Sequence, residues 1–195
     1  MRRGVTVLMM VAVLAGCATS SPAPLQISRS IAVMPANNLT GDRLLVTGAG
    51  LIDRYVRHAA EVSVGDVLQS EARYQLQQKG FEVRELRPQG QAAERVPASV
   101  DAALALARQN GVQTNVLYLE IRRWEADAPT HTRFVLVAVT ASLLEPVSGR
   151  EIWHEERRTA PVGTAGVMTV EAAYVVAARK VIAEMLAPLK PEPPK

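Results

Sequence analysis

Histidine, serine and acidic side chains are the residues of this sequence that could cleave a bond or hold a metal ion. The three histidines, His58, His131 and His154, fall in a predicted helix, a loop and a strand, and no two have the spacing of metal ligands. Ser148 precedes Gly149 but lacks the Gly-x-Ser-x-Gly pattern that exposes a nucleophilic serine. Neither pattern predicts a metal centre or a hydrolytic site.

Two further patterns also fall short of a site. Glu125 and Asp127 come closest to a carboxylate pair outside the predicted helices, but both lie in a predicted turn, where no pocket would shift their pKa values. Gly48-Ala49-Gly50 is too short for a dinucleotide-binding fingerprint. We therefore predict that the protein is not an enzyme and has no catalytic residue, no metal and no cofactor.

A more specific pattern surrounds Cys17, the only cysteine of the sequence. The sequence before it is typical of a secretory signal: basic Met1-Arg2-Arg3, then an apolar run over 5–13, then small residues. The apolar run is too short to span a bilayer. Leu14-Ala15-Gly16-Cys17 resembles the lipobox of bacterial lipoproteins. The resemblance implies that 1–16 is removed and that Cys17 is acylated. A non-lipidated signal or a buried structural cysteine is the alternative.

The segment after Cys17 predicts a flexible tether and a membrane location. Residues 17–28 begin with a small, Ser/Pro-rich run that cannot bury apolar area, so we expect a flexible link between lipid and fold. In bacterial lipoproteins an aspartate directly after the cysteine favours the inner membrane, and Ala18 stands there instead. The resemblance therefore implies the periplasmic side of the outer membrane, reached through acyl chains on Cys17.

Composition narrows the class of protein further. Of 195 residues, 48% are hydrophobic and 21% charged, which is ordinary globular usage, and aromatic residues make up only 4%, which argues against base-stacking surfaces. When Arg2 and Arg3 leave with the signal, 20 basic side chains face 19 acidic ones. A mature protein so close to neutral has little electrostatic support for binding nucleic acid.

Periodicity predicts one mixed α/β (α+β) domain over 29–188, followed by a Pro-rich tail over 189–195. The predicted order is β-α-β-α-β-β-β-α, in which helical crossovers imply parallel strands and the later meander implies antiparallel ones, giving a mixed five-stranded sheet with helices packed on it. The strands are predicted over 30–35, 81–84, 116–123, 132–144 and 150–158, and the helices from Ser63 to Gly80, from Ser99 to Asn110 and from Thr169 to Pro188.

Three local features complete the prediction. Residues 124–129 are predicted to be a turn. Apolar residues at helical spacing over 51–60 predict a short amphipathic helix, which we leave open as a lid, an interface or part of the core. Glu155-Glu156-Arg157-Arg158 is either a charged docking patch or a solvated sheet edge.

Three stretches of the chain resemble a known group of proteins. Ile31-Ala32-Val33-Met34-Pro35 with the Asn-rich loop 37–42 is similar to the opening strand of the TolB amino-terminal domain and of CsgG-type lipoproteins. The segments 77–83 and 143–153 resemble the second strand and the Trp-containing hairpin of the same group. Ala36 replaces the customary Phe after Pro35, and we expect the chain to be too short for the membrane-inserting hairpins of a CsgG pore.

The resemblance implies a periplasmic domain that works through protein contacts. Our first hypothesis is a non-enzymatic accessory lipoprotein that binds another envelope protein in an assembly, secretion or transport system. The alternative is an LpoB-type activator of a peptidoglycan synthase, for which a longer tether than 17–28 would be expected. Which partner is bound, which face binds it and whether the protein forms a homo-oligomer stay open.

Overall fold

The computed structural model describes residues 24–40, 45–46, 62–86, 96–128 and 131–193. The predicted signal over 1–16, Cys17, Gly48-Ala49-Gly50 and the predicted helix over 51–60, which contains His58, lie outside these residues. In chain order the elements are β1 (Leu25–Ile27), β2 (Ser30–Val33), β3 (Asn37–Asn38), β4 (Leu45–Val46), β5 (Val62–Ser63), α1 (Val64–Gln78), β6 (Glu82–Glu85), α2 (Val100–Gln109), β7 (Asn115–Ala126), β8 (Phe134–Glu145), β9 (Arg150–Gly163), α3 (Val170–Met185) and β10 (Leu189–Pro191).

The central sheet has the strand order β6-β2-β7-β8-β9, with short β3 also pairing with β7. β6, β2 and β7 are parallel, and β7, β8 and β9 are antiparallel. The helical crossovers place the first three strands in one direction, and the tight connections of the meander reverse the later ones. The prediction of a mixed α/β sheet is therefore confirmed, with β3 as an additional sixth strand.

Helix ends follow the local sequence. At the start of α1, the Ser63 hydroxyl accepts from the backbone N–H of Asp66, and the Asp66 carboxylate accepts from the backbone N–H of Ser63, which is a capping box. Ser99 and Thr169 cap α2 and α3 in the same way through their hydroxyls. Gly80 has a positive φ of 90° just after α1, as predicted for the residue that ends this helix.

One face of the sheet carries the main core. Leu117, Leu119 and Ile121 of β7 are fully buried there and join the apolar faces of α1 and α3 in one cluster. This cluster includes the predicted stripe of α1, Val64, Leu68, Ala72 and Leu76. Burial of this many aliphatic side chains is the dominant favourable contribution to folding.

The prediction of a turn over 124–129 is wrong at its start. β7 continues to Ala126, and Trp124 is only 1% exposed in the main core, where its ring meets Tyr174 of α3 edge to face at a centroid distance of 6.1 Å. The register of β7 against β8 shifts between Ile121 and Arg123. This β-bulge changes which residues face the core, so that Trp124 follows Ile121 on the same side of the sheet.

The structured domain extends beyond both predicted boundaries. Leu25–Ile27, assigned above to the tether, and Leu189–Pro191, assigned to the tail, pair as parallel strands. Ile27 and Leu189 are buried in the main core. Apolar side chains at these two positions give both segments area to bury, which a tether or a disordered tail would lack.

Several connections meet at one end of the sheet, which we call the basal end. β6 and β2 begin side by side there, and Lys79 at the end of α1 donates through Nζ to the carbonyl oxygens of Ala187 at 3.1 Å and Leu189 at 3.4 Å. The β8–β9 turn lies at the same end, because Val116 near the start of β7 pairs with Leu144 near the end of β8. The chain thus enters the domain at the basal end. Within the described ranges, no helix is long and apolar enough to cross a membrane.

Candidate interaction surface

Among the described residues, the second face of the sheet is only partly covered by helices. Ala103, Leu104 and Ala107 of α2 form a small cluster with Val116 and Tyr118 of β7 and with other residues near the basal end. Farther along these strands, no helix of the described part of the chain belongs to a core cluster on this face. We call this region the open face and define it by Glu120 and Arg122 of β7, Thr140 and Ser142 of β8, and His154 and Glu156 of β9.

A row of polar contacts crosses the open face. Tyr118 donates its hydroxyl to the carbonyl oxygen of Pro97 at 2.8 Å, and this hydroxyl lies 3.4 Å from Glu120 Oε1. Arg122 lies 3.6 Å from Glu120 on its own strand and 4.0 Å from Glu156 on β9. The charges therefore form a chain of alternating sign across two strands. The pair of Arg122 and Glu156 is about half exposed, and exposed pairs of this kind contribute little to stability.

Tyr118 is held neutral beside this row. Burial raises the pKa of its hydroxyl to about 12, the negative charge of Glu120 adds to the increase, and a hydrogen bond with Asn37 opposes it. The ring itself is fully buried. Tyr118 therefore acts as a fixed hydrogen-bond donor that ties the segment before α2 to the sheet.

Thr140 adds an unsatisfied group to the open face. It is 2% exposed, and its hydroxyl oxygen has no hydrogen-bond partner among the described residues. A buried polar group left without a partner costs about 1–3 kcal/mol, so Thr140 is a local cost to the stability of this face.

Ser142, His154 and Glu151 resemble a catalytic triad in composition but not in geometry. Ser142 Oγ lies 3.4 Å from His154 Nδ1, and Glu151 Oε1 lies 2.8 Å from the same nitrogen. A triad requires the serine and the carboxylate on opposite ring nitrogens, so that one orients the ring while the other exchanges a proton. Because both partners share Nδ1, these three residues do not form a proton relay in this arrangement.

Glu125 and Asp127 are not a carboxylate pair. Glu125 is in β7 and bonds to Arg123 Nη2 at 2.8 Å. Asp127 Oδ1 accepts from the backbone N–H groups of Arg133 at 2.9 Å and Phe134 at 3.3 Å. Burial raises the pKa of Asp127, but these hydrogen bonds and the charge of Arg133 outweigh it and hold the pKa below its ordinary value. Asp127 thus closes the β7–β8 loop as a carboxylate at neutral pH.

The other residues considered above for chemistry are dispersed. His131 lies in the β7–β8 loop at a positive φ of 55°, and Ser148 lies in the β8–β9 turn. Among the described residues, no three His, Cys, Asp or Glu side chains are grouped so as to hold a metal ion.

The charged run over 155–158 does not form a single patch. Glu156 contacts Arg122 on the open face, whereas Arg157 lies opposite Val139, whose side chain belongs to the main core, and bonds to Glu184 of α3. Alternation along a strand sends neighbouring side chains to opposite faces. At 14 residues, β9 is a long strand at one edge of the sheet, and its charges are typical of edges that avoid unwanted pairing.

The open face was only partly visible in the sequence. The alternation of β7 predicted that Tyr118, Glu120 and Arg122 share a face. The neighbours of Arg122 on β9 could not be predicted, because cross-strand partners depend on register and β9 shifts register twice against β8.

The fold is similar to that of PelC from Paraburkholderia phytofirmans. A PelC dodecamer structure aligns with a TM-score of 0.54 at 21% sequence identity, covering 88% of this chain and 95% of the PelC chain. A single-substitution variant of that dodecamer aligns with a TM-score of 0.51 at 19% identity, covering 85% and 93%. At this identity the likeness is one of fold. No protein-family model and no curated protein matches the sequence.

Weaker similarity extends to two further bacterial proteins, one of which is named as a lipoprotein. Lipoprotein GNA1162 from Neisseria meningitidis aligns with a TM-score of 0.42 at 16% identity, covering 81% of this chain and 97% of that one. The carboxyl-terminal domain of LpoB from Salmonella enterica aligns with a TM-score of 0.40 at 17% identity, covering 72% and 86%. The more specific resemblance to TolB and CsgG proteins stays a prediction.

Proposed function

We propose that this protein is a lipid-anchored accessory protein of the bacterial cell envelope that assembles with copies of itself and binds another envelope protein in an assembly, secretion or transport system. The observation that carries the proposal is the similarity of nearly the whole domain to a protein that forms a dodecamer. The lipobox-like sequence before Cys17 supplies the location.

Anchoring follows from acylation of Cys17. The segment from Cys17 to Pro24 can span at most roughly 25 Å, which holds the domain close to the bilayer. Since β1 starts at the basal end, this end faces the membrane. Ala18 supports the outer membrane, and in that case the domain lies on its periplasmic side.

Protein contact is the activity that the open face supports best. It presents the charged side chains of Arg122 and Glu156, which are about half exposed, beside the more buried Glu120. Non-obligate interfaces contain about one hydrogen bond per 100–200 Å² and tolerate polar surface of this kind. A partner whose charges are opposite to those of this row would form hydrogen bonds with them and leave the packing of the core unchanged.

The proposal is tested by extracting the full-length protein from native membranes in mild detergent. Its mass is measured by light scattering, and the proteins that copurify are identified by mass spectrometry. We expect a homo-oligomer that carries components of a secretion or transport system. Extraction of cells that express the variant Cys17→Ser serves as the control for contacts that need the membrane.

Two results would contradict the proposal. A monomer at every concentration would remove self-assembly. Recovery of a peptidoglycan synthase in place of transport or secretion components would support the alternative function as a synthase activator.

A further inference from the structure

A small cavity opens at the edge of the sheet beside β6. It has a volume of about 230 Å³ and is lined by Ala32 of β2, Arg84 and Leu86 at β6, and residues 110–114 after α2. Sites for drug-sized ligands typically measure about 300–1,000 Å³. The cavity is therefore small for a cofactor but large enough for one aliphatic side chain.

The chemistry of the cavity indicates what it would accept. Ala32, Leu86 and Val112 provide apolar surface, and all three belong to or pack against the cluster under α2. Arg84 is exposed, and its guanidinium has no ion-pair or hydrogen-bond partner among the described residues. A partly apolar cavity beside a guanidinium that has no partner within the described ranges favours an aliphatic side chain accompanied by a carboxylate.

The chain itself carries a group of this kind at the tip of the β8–β9 turn. Val147 is 74% exposed, which makes it the most exposed large hydrophobic residue of the described part of the chain. Glu145 stands two residues earlier, with its side chain 39% exposed. Its carboxylate accepts a hydrogen bond from the Ser148 hydroxyl and lies 3.9 Å from Arg150. Arg108 donates through Nε to the carbonyl oxygen of Pro146 at 2.9 Å and holds the turn in place.

We infer that the turn carrying Val147 docks into the Arg84 cavity of a second copy of this chain, where Val147 fills the apolar space and Glu145 pairs with Arg84. The inference rests on the proposed self-assembly and names its contact. The two features lie on either side of the carboxyl end of α2, which contacts Pro146 through Arg108 and lines the cavity with Asn110. Each copy thus supplies both a donor turn and an acceptor cavity, as closed homo-oligomers require.

The test compares the assembly of variants of the full-length protein in detergent over a range of concentrations. Val147→Glu places a charge in the apolar cavity, and Arg84→Glu opposes Glu145. Both should raise the concentration needed for half-assembly by at least about tenfold, as expected for a central contact. The double variant Arg84→Glu with Glu145→Arg restores opposite charges and should recover most of the assembly.

Met168→Glu is the matched control. Met168 is 68% exposed just before α3, away from the basal end, so its substitution adds the same charge at a similarly exposed apolar position. We expect it to assemble as the unaltered protein does. Circular dichroism establishes that each variant is folded, and if Val147→Glu does not fold, Arg84→Glu and the double variant decide the outcome.

The possible failures are distinguishable. If the unaltered protein assembles and both Val147→Glu and Arg84→Glu assemble equally well, the docking contact is wrong and the proposed self-assembly stands. The contact is also wrong if Met168→Glu dissociates to the same extent. A monomeric unaltered protein contradicts both proposals.

Discussion

Single residues in the loop after β7 show how side chains hold a connection between two strands. Asp127 accepts hydrogen bonds from two backbone N–H groups at the start of β8. Thr132 donates its hydroxyl to the carbonyl oxygen of Ala128 in the same loop. The loop between two long strands is thus held by side chains that bond to main-chain groups. Such local bonds fix the loop without requiring a buried apolar cluster.

Removing the Asp127 carboxylate should destabilise the domain in a pH-dependent way. Asp127→Ala leaves the N–H groups of Arg133 and Phe134 without their acceptor, so we expect a lower midpoint of thermal unfolding at pH 7. The folded-state pKa lies below the ordinary 3.8, so the contribution is present above that value and is lost as the pH falls through the folded-state pKa. Thermal unfolding from pH 7 to pH 2 measures this.

Glu125→Gln is the control for this measurement, because the one ion pair of Glu125 with a described residue is the exposed pair with Arg123. Its unfolding midpoint should follow that of the unaltered protein. An equal decrease of the unfolding midpoint in both variants would contradict the role given to the Asp127 carboxylate. A decrease in Asp127→Ala that persists unchanged at pH 2 would contradict it as well.

Elements differ in how far the sequence determines them. The starts of α1, α2 and α3 were predicted at Ser63, Ser99 and Thr169 because capping is a contact between residues three apart. The end of β7 was missed because a bulge interrupts the alternation before Trp124. Bulges depend on the partner strand, which a single segment does not reveal.

The β8–β9 turn gives a prediction at the scale of an element. Gly149 has a positive φ of 72°, and a Cβ there would collide with the guanidinium of Arg108. Gly149→Ala should therefore cost about 1–2 kcal/mol for the left-handed backbone and more for displacing Arg108 from Pro146. Chemical denaturation measures the free energy of unfolding.

Gly166→Ala separates the two contributions. Gly166 has a similar φ of 85°, but a Cβ there would meet no atom within 4 Å. The free energy of unfolding lost in Gly166→Ala should equal the backbone contribution alone. This loss should be smaller than the loss in Gly149→Ala. Equal losses at the two positions would mean that the contact of Arg108 with the turn does not stabilise the hairpin.

At the scale of the whole molecule, the sheet separates a main core packed by α1 and α3 from a face on which α2 is the one helix of the described ranges. The mixed fold was predicted because its crossovers and meander can be recognised from the order of periodic segments. The open face and the cavity beside β6 were not predicted, because they depend on which strands become neighbours. The strands β1 and β10 were also missed, since three-residue segments at opposite ends of the domain carry too little periodicity to be recognised.

Lipid anchoring through Cys17 is the prediction that concerns the whole molecule. Cys17→Ser removes the thiol that would carry the lipid, so we expect the protein to move from the membrane pellet to the soluble fraction. Mass spectrometry of the unaltered protein should find acyl chains on an amino-terminal Cys17. A variant that still sediments with the outer membrane, or an unaltered protein that retains Met1, would contradict lipid anchoring.

The pairing of β1 with β10 bears on how the protein can be labelled. Because these strands are parallel and adjacent, Leu25 and Leu189 are neighbours, and polypeptide added after Pro193 emerges close to the point where the chain enters. A fluorescent protein fused there would compete for space with the bilayer under the anchoring proposed above. The connection around Gly166, at the opposite end of β9 from the Val147 turn, is the better place to insert a small epitope.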